Sequence, residues 1–464
     1  MLTQMISVES EVVMIILNGK LITWQAENLL LEQMAIRLVD GRIAEIAPQA
    51  ELIARYPQEE TLDAGGQYVM PGNICAHTHF YGAFARGMAI PGAAPKDFPE
   101  ILQKLWWPLD RSLTLEDVRL STQVMLADAI RHGTTTLIDH HASPNAIEGS
   151  LDVIAEEVEK AGLRAVLCYE VTDRDGAEKT QAGIDENLRF LKACAGGKWP
   201  LVRATFGLHA SLTLSDETLE RCRSLAPAGV GFHIHAAESD ADEYDSLAKS
   251  GLRVVDRLQR HGILGKNTIL AHCVHVDARE MQILAESGSW VTHQPRSNMN
   301  NAVGVAPVES LLRMGVPVCL GTDGFSSTMW EEWKFAYLVQ KVWHRDPRRM
   351  PANLIAEMAI HNNAALAGRF FDEAPLGVLK EGAFADLIFV DYHPHTPLTA
   401  DNLPWHIVFG FHESMITTTI VNGKILMKDR RLLTIDEAAV ATRARDFAPR
   451  AWQRYQANVL GGEE

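Results

Sequence analysis

The sequence is poor in the features that mark several large classes of protein. Its six cysteines are scattered and none forms a C-x-x-C pair, which argues against a zinc ribbon and against a disulfide framework. The apolar run at 12–17 is only six residues long, too short for a membrane span or the core of a signal peptide. We therefore expect a cytoplasmic protein that does not bind membranes.

Positive charge is also in deficit, because 43 Lys and Arg residues stand against 59 Asp and Glu residues, for a net charge of −16. That balance disfavours nucleic acid as a partner. The 464 residues are 47% hydrophobic and 22% charged, as in an ordinary globular protein with a large core. The expected partners are a small molecule and, from the frequency of symmetric assemblies, further copies of the chain in a homodimer or higher homo-oligomer.

The pattern of β-rich and helical segments changes twice along the chain, which predicts three parts. Residues 1–68 consist of short β-rich runs separated by the turn signals Asn18-Gly19 and Asp40-Gly41. Residues 69–370 alternate β-like runs with longer segments of helical periodicity. Residues 371–464 return to short β-rich runs, with a turn signal at Asn422-Gly423, and end in a predicted helix over about 435–455. We expect the two terminal parts to pair into one discontinuous β-sandwich.

The middle part contains eight β-like runs, and helical patterns separate most of them. The runs are 69–77, 134–141, 163–171, 202–209, 230–235, 268–275, 290–293 and 317–323. This alternation is typical of a parallel sheet built from βαβ units, and its count and length match a (β/α)8 barrel. A doubly wound open sheet is the alternative, but no Gly-x-Gly-x-x-Gly turn follows any of the runs. The predicted fold class is therefore α/β, a TIM-like barrel with a small β-sandwich.

A His-x-His pair, His77 and His79, closes the first run of the middle part. Residues i and i+2 of a strand point to the same side, about 6–7 Å apart, so the two imidazoles can share one cation. Ligand-type residues recur at seven of the eight run ends: His77 and His79, Asp139 to His141, His209, His233 to Glu238, His272 and His275, His293, and Asp323. Active sites of barrel enzymes lie at these strand ends, so the pattern predicts a metal site there.

The layout resembles the amidohydrolase superfamily, and within it the branch of aromatic-heterocycle deaminases and s-triazine hydrolases. The matching motifs are P-G-N-I-C-A-H-T-H (71–79), H-x-x-E (235–238), A-H-C (271–273), S-N-M (297–299) and G-T-D-G (321–324). The stretches 105–111, 138–144 and 296–301 are most similar to the SsnA-type aminohydrolases. The resemblance spans essentially the whole chain, including the flanking sandwich.

The resemblance implies that four residues, His77, His79, His235 and Asp323, bind one divalent metal per chain. Zinc suits this set, and iron and manganese are alternatives. It further implies catalytic roles for Asp323 as a proton acceptor, for His272 beside the attacking water, and for Glu238 as a proton shuttle. The run 202–209 carries no lysine, whereas binuclear members bridge two metals through a modified lysine there. A mononuclear site is therefore expected.

The predicted activity is that of an aminohydrolase acting on a purine-, pterin- or pyrimidine-like N-heterocycle. In such an enzyme, metal-bound hydroxide attacks the ring carbon that bears the amine, and ammonia leaves. Two alternatives stay open: a hydrolase of the same fold that expels chloride or an alkylamine from a triazine-like ring, and a non-enzymatic barrel scaffold. Candidate substrate contacts are His209, His141, Trp107 and Asn298. Strand parity allows only one of His140 and His141 to face the cavity.

Overall fold

The computed structural model describes residues 13–460, so Val12, the first residue of the first predicted strand, lies outside the described residues. Seven strands precede the barrel: β1 Val13–Leu17, β2 Lys20–Ile22, β3 Leu30–Leu31, β4 Met34–Val39, β5 Arg42–Pro48, β6 Glu60–Asp63 and β7 Tyr68–Pro71. The barrel strands are β8 Asn73–Thr78, β9 Thr134–Asp139, β10 Arg164–Leu167, β11 Val202–Ala204, β12 Phe206–Ala210, β13 Phe232–Ala236, β14 Ile269–His272, β15 Trp290–His293 and β16 Val318–Leu320. Four more follow: β17 Leu387–Val390, β18 Ile416–Val421, β19 Lys424–Lys428 and β20 Arg431–Leu432.

Helices separate most of the barrel strands, and several of them match the helical periodicity of the sequence. The α-helices are α1 Gln49–Arg55, α2 Phe98–Ile101, α3 Trp107–Ser112, α4 Leu115–Arg131, α5 Ser150–Ala161, α6 Ala177–Ala195, α7 Asp216–Leu225, α8 Asp240–Ser250, α9 Val254–Arg260, α10 Ala278–Ser287, α11 Pro295–Asn300, α12 Val308–Arg313, α13 Met329–His344, α14 Ala352–Ala356, α15 Asn363–Ala367, α16 Leu403–Gly410 and α17 Glu437–Leu460. Helix α4 begins at a capping box between Thr114 and Asp117, which satisfies two backbone donors at its first turn. Between Val13 and Leu460, no helix is both long and apolar enough to cross a membrane.

The barrel strands form two parallel arcs, β8 to β11 and β12 to β16, and hydrogen bonds at two seams join the arcs. At one seam, the amide of Val171 donates to the carbonyl of Gly207 (3.2 Å) and the amide of His209 donates to the carbonyl of Val171 (2.9 Å). At the other, the amide of Thr322 donates to the carbonyl of His77 at 2.9 Å. Strands β11 and β12 lie end to end on either side of Thr205 and count as one barrel strand. The barrel therefore has eight strands, and the α/β barrel prediction is confirmed.

The sandwich draws strands from both ends of the chain, as the sequence predicts. One sheet has the order β5-β4-β1-β6, and the other has the order β20-β19-β18-β17-β7-β2-β3. Their inner faces share a core in which Ile16 and Leu38 of the first sheet pack with Leu387 and Phe389 of the second. The domain boundaries at 68/69 and 370/371 stay a prediction, and the run 69–77 is divided at Gly72 between β7 of the sandwich and β8 of the barrel.

Two of the three predicted hairpins are present, and one is wrong. The turns Asp40-Gly41 and Asn422-Gly423 join antiparallel neighbours, β4 to β5 and β18 to β19. The turn Asn18-Gly19 instead carries the chain from one sheet to the other, because β1 pairs with β4 and β6 whereas β2 pairs with β3 and β7. A local turn signal specifies the reversal of the chain but not the sheet in which the next strand is buried.

Candidate active site

Three histidines from two barrel strands point into one small space at the C-terminal end of the barrel. His77 and His79 stand two residues apart at the end of β8, and His235 stands in β13. The ring centroids of His77 and His235 are 5.2 Å apart, as are those of His79 and His235. As the i, i+2 spacing of the His-x-His pair predicts, the rings of His77 and His79 lie on the same side of the strand, and both face the ring of His235.

The Nδ1 atom of each of these imidazoles is engaged in a hydrogen bond on the far side of the ring. The partners are the Nε2 atom of His233 for His77 (2.9 Å), the carbonyl of His140 for His79 (2.5 Å) and the carbonyl of His209 for His235 (2.8 Å). Such outer contacts set the ring orientation and leave Nε2 as the coordinating atom. All three Nε2 atoms are thereby directed to the space between the rings.

Asp323 adds a carboxylate to the same space. Its Oδ1 atom lies 3.0 Å from Nε2 of His79 and 3.6 Å from Nε2 of His77, and the Nε2 atoms of His79 and His235 are 3.2 Å apart. Ligands at about 2.0–2.1 Å from a tetrahedral zinc ion stand roughly 3.3 Å from one another, so the spacing suits a small divalent ion. Gly321 allows this approach, because a Cβ there would lie 2.7 Å from the backbone nitrogen of His77.

Two observations test whether these residues fit a metal. The Nε2 atom of His77 is buried and has no hydrogen-bond partner among the described residues, an arrangement that a bound cation would explain. Two clusters of potential ligand atoms, each within 4.8 Å of one another, overlap here: one joins His77 and His235 with His79 and His140, and the other joins them with His272 and Asp323. The donor chemistry and geometry therefore fit a divalent metal.

The protonation of His77 and His235 suits a cation, whereas His79 must lose a proton to bind one. Burial lowers the pKa of His77 to about 4 and holds the pKa of His235 well below its ordinary value, so both imidazoles are neutral donors at pH 7. Burial likewise lowers the pKa of His79, but the carboxylates of Asp323 and Glu170 outweigh burial and raise that pKa to about 9. Without a metal, the proton on His79 partly neutralises the buried acidic groups.

The backbone is strained at the strand ends that form the site. Ala237, His272, Cys273 and Asp323 have φ values of +49°, +76°, +47° and +53°, in the left-handed region that non-glycine residues rarely adopt. Such conformations cost about 1–3 kcal/mol each and persist only where the surroundings enforce them. Their clustering around one cavity indicates that the surrounding structure holds these side chains in place despite the strained backbone.

Glu238 and His272 stand together beside the metal-binding space. The Oε2 atom of Glu238 lies 3.5 Å from Nε2 of His272, and its Oε1 atom accepts a hydrogen bond from Nδ2 of Asn301 at 3.3 Å. Burial raises the pKa of Glu238 to about 7. A carboxyl group with such a pKa can take and give a proton at neutral pH, which is the property that a general acid–base requires.

A pocket with about 650 Å³ of empty space, counting the solvent at its mouth, opens onto these groups. Its lining consists of His79, Tyr81, Phe98, Leu102, Trp106, Trp107, Asp110, His209, Ala210, Leu212, His235, Glu238, Asp242, His272, Asn301 and Asp323. The rings of Tyr81 and Trp106 meet edge to face with centroids 6.4 Å apart, and the Trp106 ring lies close to Gly82 and Gly324. The walls thus combine aromatic surfaces that could stack on a flat ring with the candidate catalytic groups.

Helix α3 contributes unsatisfied polar atoms to the same cavity. The Oδ2 atom of Asp110 accepts a hydrogen bond from Arg174, while its Oδ1 atom and the Nε1 atom of Trp107 are buried and have no partner within residues 13–460. Burial raises the pKa of Asp110 to about 6 against the opposite effect of Arg174, so the carboxylate is mostly charged at pH 7. A charged acceptor and an indole donor are thereby available to a ligand.

The candidate substrate contacts divide into two groups. His209 and Trp107 line the cavity. His141 does not, because its ring lies 6.0 Å behind that of Tyr81 and its Nε2 atom bonds to Ser143. Asn298 does not either, since it lies behind His272. Neither His140 nor His141 lines the cavity: the His140 ring stacks on that of His233 with centroids 4.3 Å apart, whereas the His141 ring packs against Tyr81 and Tyr169.

Three residues of the site were missed by the sequence reasoning: Glu170, Asp110 and Asn301. Glu170 is buried beyond β10, with its carboxylate 3.4 Å from Nδ1 of both His79 and His140. It could have been found, because it lies within the run 163–171, at a strand end where the other runs carry ligand-type residues. Asp110 and Asn301 lie within the stretches 105–111 and 296–301, which resemble SsnA-type aminohydrolases, but neither stands at a strand end that would mark it as a site residue.

The chain is similar to proteins of known activity over nearly its full length. The family described as "Amidohydrolase family" matches residues 68–426. A 5'-deoxyadenosine deaminase of Methanosarcina mazei is 34% identical over 440 residues, which cover 94% of this chain and 97% of that protein. A 5-methylthioadenosine/S-adenosylhomocysteine deaminase of Syntrophobacter fumaroxidans is 33% identical over 445 residues, with 94% and 97% coverage.

Among solved structures, an adenosine deaminase from Xanthomonas campestris with bound zinc superimposes with a TM-score of 0.82. The two chains are 25% identical, and the match covers 94% of this chain and 98% of that one. A triazine hydrolase of Arthrobacter aurescens, at 20% identity and a TM-score of 0.78, shares the fold. The resemblance of the motifs to a superfamily of heterocycle deaminases is confirmed.

Proposed function

The chain belongs to the amidohydrolase family, and from that premise we propose that it is a mononuclear metal-dependent deaminase whose substrate is an aminopurine nucleoside. As a member of this family it is a hydrolase that acts on C–N bonds. The observation that carries the proposal is the convergence of three imidazole Nε2 atoms and one carboxylate beside Glu238, at the end of an aromatic-walled cavity. The pterin-like and pyrimidine-like substrates allowed by the sequence are less favoured, because the matched relatives are named as adenosine-type deaminases.

We infer that the metal ligands are His77, His79, His235 and Asp323. A divalent metal bound there would act as a Lewis acid and lower the pKa of water, so that a nucleophile is available near pH 7. Zinc is the proposed ion, since three imidazoles and one carboxylate suit it and the Xanthomonas campestris structure holds zinc.

The side chains divide the remaining work between them. Asp323 lies beside Nε2 of His79 and would take the first proton of a water activated there. His272 directs Nε2 to the same space and can accept a hydrogen bond from that water. Glu238 can donate its proton to a ring nitrogen, take the proton of the hydroxyl group added to the ring carbon, and pass that proton to the departing amine. The proton held by Asp323 then returns to Glu238, which restores the starting state. Overall, water adds to the ring carbon, the C–N bond breaks, and ammonia and the oxo product leave.

A substrate panel tests this proposal directly. We expect metal-loaded protein to release ammonia from 5'-deoxyadenosine, 5-methylthioadenosine, S-adenosylhomocysteine or adenosine faster than from adenine, guanine, a pterin, cytosine or an aminotriazine. Ammonia assays and mass spectrometry of the ring product provide the measurement. Release from free bases alone would contradict the nucleoside proposal, and chloride release from a chlorotriazine without deamination would contradict the leaving group.

The Asp110 carboxylate of helix α3 indicates how a nucleoside would bind, through hydrogen bonds from its ribose hydroxyl groups. We expect Asp110→Asn to raise KM for adenosine by about 10–100-fold with little change in kcat, because a hydrogen bond to a charged acceptor contributes about 1.5–3 kcal/mol. Steady-state kinetics provide the measurement, and 2',3'-dideoxyadenosine should show no such difference because it lacks the hydroxyl donors. Asp175→Asn is the matched control, since Asp175 contacts Arg174 from outside the cavity. Equal losses for both nucleosides would contradict this role.

A further inference from the structure

Helix α11 contacts three of the proposed catalytic groups at once. The Oγ atom of Ser297 donates to Oδ2 of Asp323, and Oδ1 of Asn298 lies 2.8 Å from Nδ1 of His272. Just beyond the helix, Nδ2 of Asn301 donates to Oε1 of Glu238 at 3.3 Å. The three groups belong to three different strand ends, so one short segment links them.

We propose that α11 is a positioning element of the active site and that Asn298 is the positioning residue that selects the tautomer of His272. This inference rests on the proposed function for its catalytic consequence. It changes the role given to Asn298 by sequence reasoning, from contact with the substrate to contact with a catalytic side chain.

The tautomer follows from the chemistry of the bond. A carbonyl oxygen such as Oδ1 of Asn298 can only accept, so the Nδ1 atom of His272 carries the proton. In its neutral form the ring then has its single N–H on Nδ1, and the Nε2 atom keeps its lone pair. That atom lies 3.5 Å from Oε2 of Glu238, on the cavity side of the ring. Asn298 thus makes His272 an acceptor toward the cavity.

The anchoring of α11 indicates that its position is enforced. Arg296 is 6% exposed and its guanidinium bonds to Glu332 (2.5 Å), Glu331 (2.6 Å) and Thr328 (2.7 Å). These partners lie at the start of helix α13, just after the Asp323 strand end, so Arg296 fixes α11 to the segment that follows that strand. Fixed outer contacts of this kind hold catalytic groups within the narrow range of productive geometry.

The side-chain amide of Asn298 makes a hydrogen bond through its oxygen but, among the described residues, none through its nitrogen. Its Nδ2 atom is buried and has no hydrogen-bond partner among the described residues, which is unfavourable for folding. The amide therefore contributes through its oxygen, which contacts His272.

Two substitutions at this position separate positioning from packing. We expect Asn298→Ala to lower kcat by about 10–100-fold, as loss of an outer contact commonly does, with KM within about 3-fold and with the metal content unchanged. Asn298→Asp keeps an oxygen acceptor of the same shape, so it should restore kcat to within about 3-fold of the wild type. Met299→Ala is the matched control on the same helix, because Met299 is 46% exposed, and it should match the wild type.

A nitrogen NMR measurement makes the test independent of turnover. In zinc-loaded protein with 15N-labelled histidine, the signals lost in His272→Gln should show Nδ1 protonated and Nε2 unprotonated, and Asn298→Ala should alter that pattern. A wild-type pattern with the proton on Nε2 would overturn the proposal. So would folded, metal-replete Asn298→Asp as slow as Asn298→Ala, or Asn298→Ala with full kcat. If the wild type deaminates nothing, the NMR result alone decides the tautomer, while the proposed function fails separately.

Discussion

Glu238→Gln is expected to lower kcat by about 10³-fold while one metal per chain remains bound. General acid–base catalysis contributes about 10²–10⁴-fold, and glutamine cannot exchange the proton that a carboxyl group with a pKa near 7 exchanges. The metal should stay, because Glu238 contacts His272 and Asn301 and is outside the proposed ligand set. Ammonia release and elemental analysis of the same preparation provide the two measurements.

Glu220→Gln is the control for that substitution, since the Glu220 side chain is 71% exposed and outside the cavity. It should match the wild type in turnover and metal content. Loss of metal from the Glu238 variant would place Glu238 among the ligands, and undiminished kcat would remove it from the proton path.

His77→Ala and Asp323→Ala are each expected to abolish bound metal and turnover together. Either change removes one of four ligands, and with the metal the site loses several kcal/mol of transition-state stabilisation, which corresponds to a fall in kcat of about 10³-fold or more. His77 is fully buried, so thermal unfolding must show that the variants still fold. Elemental analysis after dialysis, followed by the ammonia assay with added zinc, provides the measurement.

His393→Ala is the matched histidine control, because the His393 side chain is 88% exposed. A folded His77→Ala protein that retained both full metal content and full activity would contradict the proposed ligand set. Recovery of turnover in excess zinc would be consistent with it, because a weakened site can be filled by mass action.

The sandwich shows where sequence reasoning succeeds and where it fails. The Asp40-Gly41 and Asn422-Gly423 turns were predicted correctly, because each joins strands that are neighbours in one sheet. The Asn18-Gly19 turn has the same local signal but crosses between sheets, and β2 finds its partner at β7, over 40 residues away in sequence. Strand β2 pairs with β7 because that arrangement buries the apolar inner faces of both sheets against each other.

In the active site, too, some features follow from the sequence and others only from the tertiary structure. By itself, the sequence determined the barrel, the His-x-His pair and the strand-end pattern, because strand periodicity places i and i+2 side chains together and parallel strands end at one rim. Only the tertiary structure decided that Glu170 and Asp110 are buried beside these groups and that Asn298 contacts His272 rather than the cavity. The physical reason is that such contacts join elements distant in the chain, and their geometry depends on how strands and helices pack rather than on local periodicity.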